Sequence, residues 1–319
     1  MPLVFLVRAL LGLGSLLLVA VAAYLLATWI DGRVVEDAQG VLHRERDNWR
    51  LWIAVAIGVW SCAGRWPAVL LLARSDTDRT RPERAQGEVI EGAGGARLYI
   101  ERQGRQGAPT LILTHGWGLD STIWCYARRQ LAEHYRLISW DLPGLGRSKS
   151  GGPVSLELFA ENLSRVIQTA GRGPVYLVGH SIGGMTIQTL AREHPEVFAE
   201  QVAGVVLLNT TFTNPLRTMI LPGLAQALRW PLLEPMFRLA ILLQPLAWLG
   251  AWQGYLNGTA HMANRLGFGR YVTRSQLEHT TLLATRNPPG VLARGNLAMF
   301  GWESRDALSA VGVPLLGLG

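Results

Sequence analysis

The chain has 319 residues, of which 49% are hydrophobic and 17% charged, and its formal net charge is +7 at pH 7. That balance predicts one globular domain of roughly 230 residues together with a more apolar part. The basic residues are scattered and form no run interleaved with aromatic side chains, which disfavours nucleic acid as a partner. Two cysteines, Cys62 and Cys125, and no histidine cluster lead us to expect free thiols, no metal and no cofactor.

The first apolar segment is long enough to cross a membrane. Residues 9–30 carry no charge and follow Arg8. At about 1.5 Å per residue they cover a hydrocarbon core of roughly 30 Å. A signal peptide cleaved near residues 20–22 is the alternative, but its apolar core usually holds only about 7–15 residues. We therefore predict an integral membrane anchor within residues 1–74, with a transmembrane helix at about 9–30.

A second apolar segment, residues 51–73, is interrupted by Arg65. An arginine near the centre of a span costs about 2.5–3.5 kcal/mol, and less where its side chain reaches the interface. We predict a second span that forms a hairpin with the first, with an interfacial or buried helix as the alternative. A slight excess of arginines beside Arg8 and over residues 74–84 favours the cytoplasmic side for the rest of the chain.

The remaining sequence alternates between strand and helix patterns. Residues 75–87 are charged and typical of a linker, and the main domain is expected over 88–319. The clearest helix is predicted at 155–170, where Ser155 can cap the first turn. Such alternation indicates an α/β fold with a mostly parallel sheet and helices on both faces. The predicted strands lie near residues 88–90, 97–100, 110–114, 136–140, 174–178 and 203–208.

Three of these strands end in turns that carry chemistry. The strand at 174–178 enters G-x-S-x-G at residues 179–183, whose glycines permit a sharp strand-to-helix bend that presents Ser181. The strand at 110–114 ends in H-G-W-G at 115–118, and the strand at 136–140 ends in D-L-P-G-L-G-R-S at 141–148. In this order and spacing the motifs resemble those of the α/β-hydrolase fold superfamily, in its lipase, esterase and haloperoxidase-like branch, over roughly residues 87–319.

The resemblance implies a role for each motif. Ser181 would be the nucleophile of an acyl-enzyme mechanism. The backbone N–H groups of Trp117 and Ile182 would form the oxyanion hole, and His115 and Asp141 would be structural. Dehalogenases and epoxide hydrolases of this fold need a carboxylate at the serine position, so both are disfavoured. A cofactor-free perhydrolase uses the same triad and stays open.

A long insertion follows the strand at 203–208. The alternation resumes only at residues 313–318, which predict the next strand, and the resemblance places a cap at about 212–308. Residues 219–252 are very apolar, but prolines break them, so we expect no third membrane span. The cap either packs on the core or forms an apolar lid that lines an acyl pocket and faces the bilayer.

The partners of Ser181 are harder to find in the sequence. In the family the triad acid and histidine follow the strand that corresponds to residues 313–318, and the sequence ends at Gly319. Residues 209–211 offer no carboxylate for an alternative placement. We expect the acid and histidine beyond Gly319. The substitutes considered are Glu193 and His194 at the far end of the helix that follows Ser181, Glu303 and Asp306 before the last strand, and His261 and His279 in the cap.

The favoured function is a membrane-anchored serine hydrolase that cleaves a hydrophobic carboxylic ester, with lipids among the candidate substrates and the lipid bilayer as a partner. Without its acid and base, a serine retains only a small part of the activity of an intact triad, so the given sequence alone is expected to be inactive. The alternative is a catalytically inactive, membrane-associated binding protein that keeps the hydrolase fold.

Overall fold

A computed structural model describes residues 2–171, 173–219, 221–307 and 312–319. The chain divides into two compact units. The first unit comprises Leu3–Thr77 and Pro245–Thr281, and the second comprises Asp78–Gln244 and Leu282–Gly319. The predicted domain limits, which assign all of 88–319 to the hydrolase domain, stay a prediction. In this division the 245–281 segment groups with the N-terminal helices.

The secondary structure alternates in the second unit and is mostly helical in the first. The α-helices are α1 (Pro2–Asp31), α2 (Asn48–Ala63), α3 (Arg65–Leu72), α4 (Cys125–Leu131), α5 (Leu156–Gln168), α6 (Ile182–Glu193), α7 (Pro195–Gln201), α8 (Pro222–Ala227), α9 (Glu234–Leu242), α10 (Gln244–Leu256), α11 (Thr259–Arg265), α12 (Arg274–Arg286) and α13 (Pro289–Phe300). The strands are β1 (Arg33–Glu36), β2 (Leu42–Glu45), β3 (Gly87–Glu91), β4 (Arg97–Gly104), β5 (Thr110–Thr114), β6 (Arg136–Trp140), β7 (Val175–His180), β8 (Val202–Leu208) and β9 (Leu315–Leu318).

The second unit is built on a seven-stranded sheet with the strand order β3-β4-β6-β5-β7-β8-β9. β4 pairs antiparallel with β3 and with β6, and every pairing from β6 to β9 is parallel. The central strands are buried, as shown by Ile112, Leu137 and Leu177 with 0% exposure. Strands buried in this way need helices on their faces. The predicted α/β fold class is confirmed.

Helix α5 shows how the local sequence specifies an element of the second unit. Ser155 precedes the helix in an extended conformation, and its hydroxyl accepts a hydrogen bond of 3.1 Å from the N–H of Leu158. This satisfies one of the N–H groups that the first turn leaves without a helical partner. Leu163 and Val166 on the same helix are fully buried. The helix predicted at 155–170 is therefore present with its expected cap.

The first unit contains the apolar N-terminal helices. The best window of α1 has a mean hydropathy of 2.4, and only 17% of that window is buried. α2 and α3 are apolar enough together but are bent by 59° at the break between them. Among the described residues, one helix is long and apolar enough to cross a membrane, or up to three if each bent pair counts as one span. Between α1 and α2 the chain forms the antiparallel hairpin of β1 and β2.

Candidate active site

Ser181 occupies the corner between strand β7 and helix α6. Its backbone has φ 53° and ψ −118°, a conformation that residues with a side chain rarely adopt and that costs about 1–3 kcal/mol. Within the described chain no group hydrogen-bonds the Ser181 hydroxyl. A strained serine with an uncommitted hydroxyl at the end of a strand is the arrangement that the G-x-S-x-G motif predicts. Whether Ser181 is the nucleophile stays a prediction.

The glycines of the motif are required by close backbone contacts. A Cβ atom on Gly179 would lie 2.6 Å from the carbonyl carbon of Gly183. A Cβ atom on Gly183 would lie 2.4 Å from the carbonyl oxygen of Thr114. Both distances are shorter than real Cβ contacts, so the bend and its packing against β5 depend on both glycines.

The sheet register brings the predicted motifs to one edge. Thr114 at the end of β5 pairs with Gly179 on one side and with Trp140 on the other. His180 at the end of β7 pairs with Leu208 at the end of β8. Because these strands are parallel, the turns that follow them share the carboxyl edge of the sheet with Ser181. Ligands of open α/β sheets bind at this edge.

Two backbone N–H groups at this edge are uncommitted. In the part of the chain that the structure describes, neither the N–H of Trp117 nor that of Ile182 donates a hydrogen bond. Ile182 is the first residue of α6, where a helix carries partial positive charge. The Trp117 indole donates to the carbonyl of Leu292 at 3.0 Å, and a Cβ on Gly295 would lie 2.0 Å from its ring. The turn of Trp117 is thereby held in place, while its assignment to an oxyanion hole stays a prediction.

His115 is fixed by two backbone groups and is fully buried. Its Nε2 accepts from the N–H of Leu142 at 2.9 Å, so the proton lies on Nδ1, which donates to the carbonyl of Gly116 at 2.8 Å. Burial lowers the pKa of His115, with opposing contributions from nearby Asp141 and Asp120. With both ring nitrogens occupied, His115 cannot take a proton from Ser181. It connects the turns that follow β5 and β6.

Asp141 likewise has a structural environment. Its carboxylate accepts from the N–H of Ser121 at 2.7 Å and from that of Arg147 at 2.8 Å. The Arg84 guanidinium lies 3.2 Å from Asp141 and 2.7 Å from Asp120. Burial by itself would raise the pKa of Asp120, but the charge of Arg84 and hydrogen bonds from Thr122 outweigh it and lower the pKa. Asp141 therefore organises the turn that starts with it.

His180 and Thr210 are neighbours of the serine. A Cβ on Gly116 would lie 2.5 Å from Nδ1 of His180, which has no hydrogen-bond partner among the described residues. Burial lowers the pKa of His180, and electrostatic repulsion from the nearby His115 lowers it further by a smaller amount. The Thr210 hydroxyl donates to the carbonyl of Ser181 at 2.6 Å. No local pattern in the sequence singles out Thr210, because its partner is a backbone group in another element.

The other carboxylates and histidines that we considered as triad members have partners of their own. Glu303 accepts from Thr213 at 2.7 Å, and its carbonyl accepts from Arg192 in the last turn of α6. His194 lies 3.4 Å from Glu196. His261 and His279 belong to the first unit, where His261 hydrogen-bonds Glu278 at 2.7 Å. A cavity of about 290 Å³ in the second unit is lined by Arg84, Cys125, Arg128 and other residues, but not by Ser181.

Comparison with known proteins identifies the family. The family model described as alpha/beta hydrolase fold matches residues 109–294, more than half of the chain. The chain belongs to the α/β-hydrolase family. The matched residues include all three turns at the carboxyl edge of the sheet, so the resemblance seen in the sequence is confirmed.

The α/β-hydrolase has curated relatives that match part of it. A pimeloyl-[acyl-carrier protein] methyl ester esterase of Sodalis glossinidius (strain morsitans) is 39% identical over 129 residues, which are 37% of this chain and 46% of the relative. The corresponding esterase of Klebsiella pneumoniae (strain 342) is 44% identical over 86 residues, 27% of this chain and 32% of the relative. The matched part therefore spans less than half the length of these relatives.

Solved structures share the fold at low sequence identity. A bromoperoxidase from Bacillus anthracis has a TM-score of 0.58 and 18% identity, covering 73% of this chain and 80% of that chain. A thermophilic esterase from Thermogutta terrifontis has a TM-score of 0.51 and 22% identity, covering 73% of this chain and 79% of that one. These likenesses support the architecture of the hydrolase and not a particular reaction.

Proposed function

We propose that this α/β-hydrolase is a serine esterase that cleaves a hydrophobic carboxylic ester through an acyl-enzyme on Ser181. The observation that carries the proposal is the backbone of Ser181, with φ 53° at the corner between β7 and α6. A conformation that costs free energy is retained where the surrounding structure imposes it, and such positions cluster at functional sites.

The proposed reaction has two halves. The Ser181 oxygen attacks the ester carbonyl carbon and loses its proton to a general base, and the resulting oxyanion is held by the N–H groups of Trp117 and Ile182. Collapse of this intermediate breaks the bond to the alcohol, which leaves with the proton, and the acyl group stays on Ser181. Water then adds to the acyl carbon, and a second collapse releases the carboxylic acid and restores the serine.

An ester substrate is supported by the relatives. The curated proteins that match this chain are named as esterases of a methyl ester carried by a protein. A hydrophobic acyl group is supported by large apolar side chains that the second unit leaves exposed in its insertion. These are Leu221, Leu224, Trp230, Leu239 and Leu242. Exposed apolar side chains that form one patch mark sites for ligands, membranes or proteins, and we propose that these five form such a patch.

Fluorophosphonate labelling of the full-length protein tests this proposal. We expect the wild type to be labelled, Ser181→Ala to lose the label, and Ser150→Ala, which changes an exposed serine of the same unit, to keep it. Hydrolysis of a series of p-nitrophenyl esters is expected to follow the same order and to favour long acyl chains. A wild type without label, or a Ser181→Ala variant labelled like the wild type, would refute the esterase proposal.

A second candidate function is a binding protein that keeps the hydrolase fold without turnover. It is favoured by the Ser181 hydroxyl, which no histidine or carboxylate of the described chain contacts, and by His115, whose nitrogens are both occupied. Retention of an ester ligand by the full-length protein without hydrolysis, under conditions in which Ser181→Ala binds equally well, would support this candidate over the esterase.

We also propose that α1 anchors the protein in a lipid bilayer, with the second unit on the cytoplasmic side. The support is the length and hydropathy of α1 and its low burial. Flotation of the full-length protein with liposomes, resistant to high salt and to alkaline carbonate, is the expected result. Recovery in the soluble fraction would exclude an integral anchor.

A further inference from the structure

The insertion of this hydrolase contains a second long stretch without charge. No Asp, Glu, Lys or Arg lies between Arg238 and Arg265, although Pro245 interrupts the stretch. Its main helix, α10, has 13 residues and is about 20 Å long at 1.5 Å per residue. That length is too short to cross a hydrocarbon core of roughly 30 Å, but it suits a helix embedded within one side of a bilayer.

Helix α10 packs closely against α1 within the first unit. Gly12 of α1 is buried, and a Cβ atom there would lie 2.9 Å from the carbonyl oxygen of Gly250 in α10. Small residues at such a crossing let two helix backbones approach, as in membrane helix pairs. Just beyond α10, the Asn257 amide donates to the buried Ser15 hydroxyl of α1 at 2.6 Å. The two helices are thus joined by both a backbone contact and a buried hydrogen bond.

Both helices leave large apolar side chains uncovered. Leu246 and Leu249 of α10 are 45% and 57% exposed, and Leu13 and Leu17 of α1 are 53% and 66% exposed. Exposed apolar surface of this kind, continuous with a helix able to cross a membrane, is costly in water. Helix α10 carries no charged residue that would keep it at an aqueous surface.

We propose that α10 is embedded in the lipid bilayer beside α1, so that the bilayer is the partner of its exposed face and the 245–281 segment is held at the membrane. This inference rests on the proposal that α1 is a membrane anchor. It adds an attachment point inside the hydrolase insertion, far along the chain from the N-terminal helices. The attachment ties the insertion to the anchor through the Gly12–Gly250 crossing.

Cysteine labelling of the full-length protein in lipid vesicles tests the proposal. In a background with Cys62 and Cys125 replaced by serine, single cysteines are placed at Leu249 on α10, Leu17 on α1 and Tyr271, an exposed residue of the same unit. A membrane-impermeant maleimide is expected to label Tyr271→Cys in permeabilised vesicles, and to label neither Leu249→Cys nor Leu17→Cys. All three are expected to react after denaturation in SDS.

The positions separate the two proposals. Labelling of Leu249→Cys with protection of Leu17→Cys would overturn the present inference and leave the anchor intact. Labelling of Leu17→Cys would overturn the anchor and the inference together. Formation of disulfide-linked dimers by Leu249→Cys on oxidation would identify a second copy of the chain on this face, which would also overturn the inference.

Glycine variants test the crossing itself. Gly12→Ala introduces the Cβ that meets Gly250, whereas Gly14→Ala on the same helix has no atom within 4 Å of its new Cβ. We expect Gly12→Ala to raise the labelling of Leu249→Cys severalfold and Gly14→Ala to leave it at the background level. Unchanged protection in the Gly12→Ala variant would show that the α1 crossing does not hold α10 in the bilayer, and would overturn that part of the inference.

Discussion

The strained backbone of Ser181 is held by the chain that follows the neighbouring strand. Its N–H donates to the carbonyl of Leu208 at 2.9 Å, and its carbonyl accepts from the hydroxyl of Thr210 at 2.6 Å. The Thr210 side chain fills the space beside Gly184, where a Cβ would lie 2.7 Å from its methyl group. The backbone N–H and the carbonyl of Ser181 are therefore both hydrogen-bonded to residues 208–210. We infer that Thr210 is a positioning residue for the proposed nucleophile.

Thr210→Val removes the hydroxyl but keeps the shape of the side chain, and Thr210→Ser keeps the hydroxyl. If Thr210 holds the corner, Thr210→Val lowers kcat for ester hydrolysis with little change in KM, and Thr210→Ser restores most of kcat. The lost hydrogen bond should also reduce the free energy of unfolding by about 1 kcal/mol. Equal kcat values for Thr210→Val and the wild type would contradict this role.

Two histidines, the buried His115 and the half-buried His180, give the fold a dependence on pH. Burial lowers the pKa of His115 and of His180. The unfolded chain takes up protons on these residues near pH 6.5, while the folded protein stays neutral at both until a lower pH. The unfolded state then binds more protons, so the free energy of unfolding falls as the pH drops below about 6.5.

His115→Asn removes one of these two contributions. We expect its free energy of unfolding, measured by urea denaturation, to fall less steeply than that of the wild type between about pH 7.5 and 5.5. The variant should be less stable than the wild type at neutral pH, because the N–H of Leu142 loses its buried acceptor. An identical pH slope in the two proteins would show that His115 is protonated equally in the folded and unfolded states.

At the scale of elements, Arg65 shows how the break between α2 and α3 is accommodated. Its guanidinium donates to the Tyr255 hydroxyl at 2.8 Å and lies 3.6 Å from Glu278, which also contacts His261. Burial by itself would raise the pKa of Glu278, but hydrogen bonds from His261 and Tyr255 and the charge of Arg65 lower it. From the sequence alone, Arg65 is expected to make the insertion of its apolar segment into a membrane less favourable. The structure supplies its partners from the 245–281 segment.

Glu278→Gln tests this pairing. Removing one partner of a fully buried ion pair costs about 3–5 kcal/mol, and we expect about 1–2 kcal/mol here because both side chains are partly exposed. Asp47→Asn, which affects the surface pairs with Arg33 and Arg50, is the control and should change stability little. Thermal unfolding in detergent measures both variants. If Arg65 and Glu278 interact directly, the Arg65→Gln/Glu278→Gln double variant loses less stability than the two single variants lose together, and a loss equal to or larger than that sum would contradict a direct interaction.

The elements that the sequence predicted well are those specified by local pattern. β5 and β6 have the predicted limits, and α5 has its predicted cap, because short apolar runs and a capping serine are local signals. Of the candidate site, the sequence predicts the bend at Ser181, because the glycine spacing of the G-x-S-x-G motif is a local signal. Thr210, the partners of Arg65 and the grouping of the 245–281 segment with the N-terminal helices depend on contacts distant in sequence. A single sequence contains no pattern for such contacts.

At the scale of the whole chain, the contacts of the first unit indicate a helical hairpin. The indole of Trp29 near the end of α1 donates to Asn48 at the start of α2 at 3.2 Å. At the opposite ends, Arg8 of α1 and Arg65 after α2 both reach the 245–281 segment, through Asn264 at 3.4 Å and Tyr255 at 2.8 Å. α1 and α2 therefore run in opposite directions, with the β1–β2 hairpin at the end remote from that segment.

This arrangement predicts a topology for the proposed anchor. If α1 and α2 both cross the bilayer, the β1–β2 turn lies on one side and the 245–281 segment reaches the aqueous phase on the other. α2 has 16 residues, about 24 Å at 1.5 Å per residue, which is short for a core of roughly 30 Å. A short span is accommodated by local thinning of the bilayer, and the arginine at its end can extend to the interface.

Labelling from one side of sealed vesicles measures this topology. In the cysteine-free background, Ala38→Cys marks the β1–β2 turn and Tyr271→Cys marks the 245–281 segment, and both positions are exposed. An impermeant maleimide added outside is expected to label one of the two in vesicles of uniform orientation, and the other only after permeabilisation. Labelling of both from the same side would show that α1 does not separate the β1–β2 turn from the 245–281 segment across the bilayer, and would overturn the proposed topology.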